Sequence, residues 1–470
     1  MRIVSSIGFS LTLLALIGCT GGADDDPAAG SSAGRPTTTQ ADQPESIPIP
    51  DGPNILLISI DTLRADHLGC YGYDRPTSPT LDRLATEGVL FEDCSAPAPW
   101  TIPSHVSLLT GLYPNQHGAR SMDPGMWDVD KLAEVLKAKG YATGAVINHY
   151  LLQDARLKLQ EGFDSFKYVS EIIIRPDPSQ VHDAGEQWLA KRRERPFFLF
   201  LHFFDVHSDY VSLPKYEQQF VGEYSGHATG KTLQLMDAML GGTALDEADI
   251  RHLIDLYDAG ICQIDAGIKR MLNALKANDL FDDTIVVITS DHGEQFMEHG
   301  SVLHGQNHFQ EVIRVPLIMR GPGIPKGRRV QTMASLIDVM PTLLSLLDVP
   351  APAGLDGIDL APLWDDDPAQ AADRYLFAEA DHGYRQSDQK RVVRNSRFKL
   401  HFDRLDESIE LYDLESDPGE QHNVAADHKD VVKSLRKELA AFMDSARPAV
   451  PTTPLTPEED ERMRALGYIK

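Results

Sequence analysis

The chain has 470 residues, of which 42% are hydrophobic, 24% charged and 7% aromatic. That is globular composition; it excludes a wholly disordered or collagen-like chain and allows one large domain with an appendage, or about three smaller ones. Lys and Arg number 44 against 70 Asp and Glu, a net charge of −26, which repels phosphate backbones and argues against nucleic-acid binding, while a metal or helix end can still admit a small anionic substrate.

Arg2 supplies a short positive region, and the apolar stretch 7–17 follows, ending at Gly18-Cys19. The stretch is too short to span a bilayer and reads as a secretory signal over 1–19. Leu16-Ile17-Gly18-Cys19 resembles the bacterial lipobox, in which the cysteine is lipidated and becomes the new N-terminus; ordinary cleavage nearby is the alternative. Thr20, standing where an Asp would otherwise signal retention, implies by that resemblance the outer membrane. The expected location is the bacterial cell envelope, facing periplasm or exterior, with the lipid on Cys19 as the only membrane contact. Residues 20–53 are small and polar and read as a flexible tether. Cys70, Cys94 and Cys262 remain, with no zinc-type spacing, and read as buried or partly buried thiols.

From residue 54 apolar strands alternate with helices. Strands are expected at 55–60, 142–147, 197–203, 284–289 and 315–319, and helices at 81–87, 130–139, 181–193 and 250–275. Continuous apolar runs such as Ile55-Leu56-Leu57-Ile58 suit strands buried on both faces. The alternation predicts an α/β fold with a mainly parallel central sheet flanked by helices over 54–375. After the breaker cluster Pro350-Ala351-Pro352-Ala353-Gly354 come short strand-like runs at 374–377, 391–394, 398–402 and 410–412, then a helix at 431–446. They predict a smaller C-terminal α+β subdomain, 376–470.

Ligands of open α/β sheets bind at the carboxyl ends of strands. Asp61 follows the first strand, Ser290-Asp291-His292 the fourth, and Asp205 and His207 the third. Carboxylate with imidazole is a divalent-metal donor set, although a single strand-end Asp more commonly caps a helix. In Trp100-Thr101-Ile102-Pro103-Ser104-His105, Pro103 suits the first helical position, which places Thr101 just ahead of a helix N-terminus, where an anion is favoured. A hydroxyl beside a metal can attack phosphorus or sulfur; the plainer reading of Thr101 is a helix cap.

Four blocks, in order, resemble the sulfatase family of the alkaline-phosphatase superfamily. Ile58-Ser59-Ile60-Asp61-Thr62-Leu63-Arg64-Ala65-Asp66 lies within the run 54–72 that is similar to its first strand and metal loop. Thr101-Ile102-Pro103-Ser104-His105-Val106 opens a run, 101–114, similar to its nucleophile loop and helix. Ser290-Asp291-His292-Gly293-Glu294 and Glu311-Val312-Ile313-Arg314-Val315-Pro316 resemble its second metal block and the following strand. Glu410-Leu411-Tyr412-Asp413 with Asp417-Pro418-Gly419-Glu420 resembles its C-terminal signature. The departures bear on chemistry. Classical members carry Cys or Ser, matured to formylglycine, where this chain has Thr101, and Arg where it has His105. The β-methyl of threonine closes the usual route to the aldehyde. The usual tandem Asp-Asp is Ile60-Asp61, and the frequent Asp-Asn is Asp291-His292.

The resemblance therefore implies one divalent ion, Mn, Zn or Ca, held by Asp61, Thr101, Asp291 and His292, with Thr101 as nucleophile. His207, His304 and His105 are the accompanying catalytic candidates; His304 stands where relatives often carry a substrate-binding Lys. Arg64 and Ser104 are the substrate-binding candidates, and His299, His308, His117 and Asp66 are read as surrounding structure. The expected activity is hydrolysis, or transfer, of phosphate diesters, phosphonates or sulfate esters on a small anionic ester or a glycan or lipid head group, with phosphoryl substrates favoured. The alternatives are a genuine sulfuric ester hydrolase and a non-catalytic binder of an anionic glycan or lipid head group.

Overall fold

The computed structural model describes residues 50–457 apart from 122–124, 170–178, 192–193, 365–373, 380, 382–389, 449 and 451–455. Cys19, the signal segment and most of the expected tether lie outside the described residues.

The main sheet contains β1 (Asn54–Ile60), β2 (Val89–Ser95), β3 (Ala142–Ile147), β4 (Ser165–Tyr168), β5 (Phe197–Phe203) and β6 (Thr284–Thr289). A two-strand ribbon, β7 (Gln295–Phe296) with β8 (Val302–Leu303), comes next. The main sheet is completed by β9 (Arg314–Arg320), β10 (Arg328–Val330) and β11 (Ala334–Ser335). The order is β10-β2-β9-β6-β1-β5-β3-β4, with β11 also on β2. Neighbours run parallel except that β9 is antiparallel to both β2 and β6. A second, antiparallel sheet is formed by β12 (Leu376–Glu379), β13 (Lys390–Arg394), β14 (Phe398–Asp403) and β15 (Ile409–Asp413), and the helix Lys429–Asp444 follows it. The chain is thus α/β, with a smaller C-terminal antiparallel sheet.

Continuous apolar runs form the central strands because both faces of the sheet are covered. Ile55 and Leu57 of β1 and Phe198 and Phe200 of β5 enter one core, with Ile102, Val106 and Leu109 of the helix Thr101–Thr110. Leu56, Ile58 and Ile60 and Leu199, Leu201 and Phe203 enter the other, beneath the helix Glu247–Ala277. Each fully buried aliphatic side chain contributes about 1.5–3 kcal/mol, and the pleat sends alternate residues to opposite cores. The long helix starts three residues before its expected position because the Asp246 carboxylate accepts the Ala248 and Asp249 N–H groups at 2.8 and 2.9 Å, while Asp249 returns a bond to Asp246 N–H at 3.1 Å. The helix at the expected nucleophile loop begins at Thr101 itself, with extended Trp100 as cap. Pro103 is therefore its third residue, still within the first turn where a missing N–H breaks no helical bond. Cys94 is buried, Cys70 and Cys262 are half-buried, and all three are free thiols.

Buried ionic contacts fasten the second sheet. Arg394 forks onto Asp93 of β2 at 2.8 and 2.5 Å. The buried Glu420 carboxylate accepts from Lys399 Nζ and His401 Nε2, both at 3.0 Å, and from the backbone N–H of Gln310 at 2.6 Å. Its carbonyl accepts from His299 Nε2 at 3.1 Å.

Candidate active site

Because β1, β3, β5 and β6 are parallel, their carboxyl ends share one edge. Asp61 N–H extends the β1–β5 ladder by one bond, to Phe203 O at 2.8 Å, and the chain then turns through Thr62 at φ 58°. The end of β6 supplies Asp291 and His292. Gly293 follows because the strand end passes directly under Glu311, where a Cβ would lie 2.1 Å from the Glu311 carbonyl oxygen. The two loops are stitched together by Ser290, which accepts Leu63 N–H at 2.9 Å and donates to His292 O at 2.6 Å.

Asp61, Asp291 and His292 are each 0% exposed, and each presents one donor atom within 4.8 Å of the others'. His292 Nε2 lies 3.2 Å from Asp291 Oδ2 and 3.6 Å from Asp61 Oδ1. Thr101 Oγ1 is 3.5 Å from the same nitrogen. Burial and the neighbouring Asp291 push the Asp61 carboxyl up to about 7. Burial opposes charge on His292, but Asp291 and Asp61 overcome it and lift the imidazole to about 9.

These residues fit a divalent cation. Asp61 Oδ1 and Asp291 Oδ2 are buried with no hydrogen-bond partner, a costly state for ionised oxygens unless a cation compensates them. The ring of His292 is set for a ligand role as well. Its Nδ1–H donates to Gly293 O at 2.9 Å, which leaves the neutral ring's Nε2 lone pair facing the carboxylates.

Two of the other expected histidines come together at this edge. His207 and His304 have ring centres 5.0 Å apart, and His304 and His292 4.3 Å apart. His207 Nδ1 donates to Ser208 O at 2.5 Å and His304 Nδ1 to Glu294 Oε1 at 2.9 Å, so each keeps Nε2 available. Burial lowers both imidazoles below the usual histidine range, and burial raises Glu294 to about 7.

The remaining candidates are engaged inside the protein. Fully buried His105 donates from Nδ1 to Thr101 O at 2.9 Å and accepts from Ser59 Oγ at 3.0 Å, and burial holds it down to about 4. Ser104 Oγ donates to Asp291 O at 2.5 Å. Arg64 forks onto Asp66 at 2.9 and 2.7 Å and reaches Glu298 at 2.5 Å and Glu294 O at 3.0 Å, forming part of the wall of a cavity of about 640 Å³. In this structure the polar groups of Ser104 and Arg64 hold the two metal-loop segments in place. His117 accepts Ala119 N–H at Nδ1, 3.1 Å, and so donates from Nε2 to Ser107 Oγ at 3.0 Å; His299 bonds Glu311 at 2.7 Å, and neither nitrogen of His308 has a hydrogen-bond partner.

Sequence reading misses His202. It lies within β5, fully buried, with Nε2 3.2 Å from Asp61 Oδ2 and Nδ1 3.2 Å from Asn148 Oδ1. It also passes over Asn148 and His149, which end β3 as Asp61 ends β1; the strand-end rule applied there finds them.

Comparison with known proteins identifies the family and the fold. The Sulfatase family model matches residues 53–349, and the model described as N-sulphoglucosamine sulphohydrolase, C-terminal, matches 298–445. An arylsulfatase of Clostridium perfringens is 26% identical over 459 residues, spanning 82% of this chain and 93% of that protein. Among solved structures, a complex with its substrate D-glucosamine-2-N,6-O-disulfate has a TM-score of 0.72 at 21% identity, covering 84% of this chain and 98% of the other. The phosphonate monoester hydrolase of Agrobacterium radiobacter has a TM-score of 0.70 at 22% identity, covering 87% and 99%. With more than half its length matched by the family model and its α/β architecture shared with those structures, this chain belongs to the sulfatase family.

Proposed function

We propose that this chain is a metal-dependent hydrolase of small anionic esters, acting on phosphate diesters or phosphonates in preference to sulfate monoesters, with Thr101 as nucleophile. The observation that carries the reading is the threonine hydroxyl, 3.5 Å from His292 Nε2, beside two buried carboxylate oxygens that no protein donor satisfies. Asp61, Asp291, His292 and the Thr101 oxygen would hold the ion. A divalent ion there would lower the pKa of the hydroxyl and polarise the substrate's oxygens.

The protein's own groups carry the rest. Thr101 Oγ passes its proton to the free Nε2 of His304 or His207, neutral because burial lowers both imidazoles, and forms a bond to phosphorus or sulfur as the ester oxygen leaves and takes that proton from the imidazolium. The Glu294 contact orients His304 with Nε2 outward. Water, or an acceptor alcohol, then attacks the threonyl ester, losing its proton to the same imidazole, and the bond to Thr101 Oγ breaks as that oxygen recovers a proton. The phosphoryl preference follows from the β-methyl of Thr101, since a simple alkoxide ester lacks the gem-diol route by which sulfate is expelled. Sulfuric ester hydrolysis is the second reading, favoured by the similarity to an arylsulfatase and by the C-terminal family match. The substrate is taken as a glycan or lipid head group in the cell envelope, where Cys19 would anchor the enzyme.

A panel of aryl sulfate, aryl phosphate, aryl phosphodiester and aryl phosphonate, assayed with Mn²⁺, Zn²⁺ or Ca²⁺, tests this. Phosphodiester or phosphonate should turn over fastest, and Thr101→Ala should lose several orders of magnitude while keeping its metal. Faster sulfate turnover selects the second reading. Near-full activity in Thr101→Ala removes the covalent step, and bound metal without any turnover selects the non-catalytic binder.

A further inference from the structure

We infer that Tyr257 is a positioning residue for the metal ligand Asp61, acting through a two-bond clamp on the turn that follows it. The inference rests on the proposed role of Asp61 as a ligand. Tyr257 lies in the helix Glu247–Ala277 and is 0% exposed. Its hydroxyl donates to Thr62 O at 2.7 Å and accepts Arg64 N–H at 2.9 Å. One oxygen thus bridges both sides of the turn that begins one residue after Asp61.

That turn needs a clamp. Thr62 sits at φ 58°, and for a β-branched residue the left-handed region is a true outlier, costing on the order of 1–3 kcal/mol. Such a conformation persists only where its surroundings over-determine it. The Thr62 hydroxyl contributes nothing, since Oγ1 is buried with no hydrogen-bond partner. On one side the β1–β5 ladder holds Asp61 N–H; on the other Ser290 holds Leu63 N–H. Between them the Thr62 carbonyl and the Arg64 amide meet Tyr257. Its ring is fixed edge-on to His67, with centres 5.1 Å apart, and against Phe296 at 5.0 Å. The next helical residue, Asp258, accepts from His67 Nδ1 at 2.8 Å and Tyr73 at 2.7 Å. Two consecutive residues of one helix therefore hold the 62–73 segment. Burial keeps the hydroxyl of Tyr257 protonated, as a donor must be.

Tyr257→Phe removes only the bridging oxygen. Metal affinity is the readout, measured calorimetrically on chelator-stripped full-length protein with whichever of Mn²⁺, Zn²⁺ or Ca²⁺ the wild type binds most tightly. Affinity should fall about 10–100-fold, the usual cost of removing a group that orients a ligand. Tyr71→Phe is the matched control. Its hydroxyl also makes two bonds, to Phe91 O and from Leu317 N–H, both 2.9 Å, but these join β2 to β9. The control should lose thermal stability and keep wild-type affinity. Thr62→Gly supplies the second arm, because glycine adopts φ 58° without strain. In that background Tyr257→Phe should cost markedly less affinity, and the double variant still reports should the single one not fold.

Unchanged affinity in Tyr257→Phe, an equal loss in Tyr71→Phe, or an undiminished loss in the Thr62→Gly background would overturn the clamp. Failure of the underlying reading looks different: Asp61→Ala would bind metal as tightly as wild type, or wild type would bind none of the three ions.

Discussion

Asp61→Asn should stabilise the metal-free protein while abolishing its metal uptake. In the folded chain burial and Asp291 raise Asp61 from 3.8 to about 7. For a raised acid, the folded state holds the proton more tightly than the unfolded one. The resulting penalty is absent below the unfolded pKa, grows as pH rises through the interval, and is complete above about 7. At 1.36 kcal/mol per unit its ceiling is about 4 kcal/mol at pH 8, falling to under half of that at pH 5. His292, whose charge Asp61 helps to hold, offsets part of it. The substituted asparagine carries no such charge, and its amide can offer Asp291 Oδ2 a donor beside the His292 imidazole 3.2 Å away. A folded unit of this size has an unfolding entropy of about 0.9 kcal/mol/K, so the ceiling corresponds to about 4 °C in Tm. Scanning calorimetry in excess chelator at pH 5 and pH 8 reads the difference directly. The variant should melt higher at pH 8, by less at pH 5, and lower than wild type once metal is restored. A metal-free variant that melts at or below wild type at pH 8 would refute the argument that these carboxylates are held at a cost.

Thr101→Ser should retain part of the activity, as a plain alkoxide nucleophile predicts; in Thr101→Cys, mass spectrometry should reveal whether formylglycine forms, and if it does, sulfate ester turnover should rise relative to phosphodiester turnover. His202→Ala should weaken metal binding about 10–100-fold by freeing Asp61 Oδ2, and unchanged affinity would show that Asp61 needs no such support. Cys19→Ala should release the protein from the membrane fraction or leave it unprocessed, and a wild type that already fractionates as soluble would remove the anchor.

The fold is legible where burial is symmetrical. β1, β3, β5 and β6 are apolar on both faces, so their runs are continuous and their bounds lie within a residue of expectation. β2 escapes notice because Glu92 and Asp93 interrupt Val89-Leu90-Phe91. The structure puts both acids at a register shift in the β2–β9 pairing, where Arg329 reaches Glu92 at 2.6 Å and Arg394 takes Asp93. The helix Val339–Leu346 is hidden by Pro341, tolerated in its first turn. In the site, residues at strand ends announce themselves through the parallel-sheet rule. His202 does not, since a histidine inside an apolar strand looks like packing until the neighbouring strand brings Asp61 beside it. Tyr257 is hidden in the same way, inside the helix expected at 250–275, although a phenol among aliphatic residues signals a buried partner for its hydroxyl.

The Glu420 contacts also have a genealogical meaning. One carboxylate from a late loop joins Lys399 and His401 of β14 to Gln310, and through its carbonyl to His299, only a few residues beyond the second metal loop. A hybrid spliced from two relatives anywhere between 320 and 390 would inherit the halves of this junction from different parents and bury a charge opposite the wrong neighbour. Exchanges that move 299–420 as one block keep it whole. The C-terminal family match, 298–445, encloses that block, whereas the Sulfatase match, 53–349, ends within it.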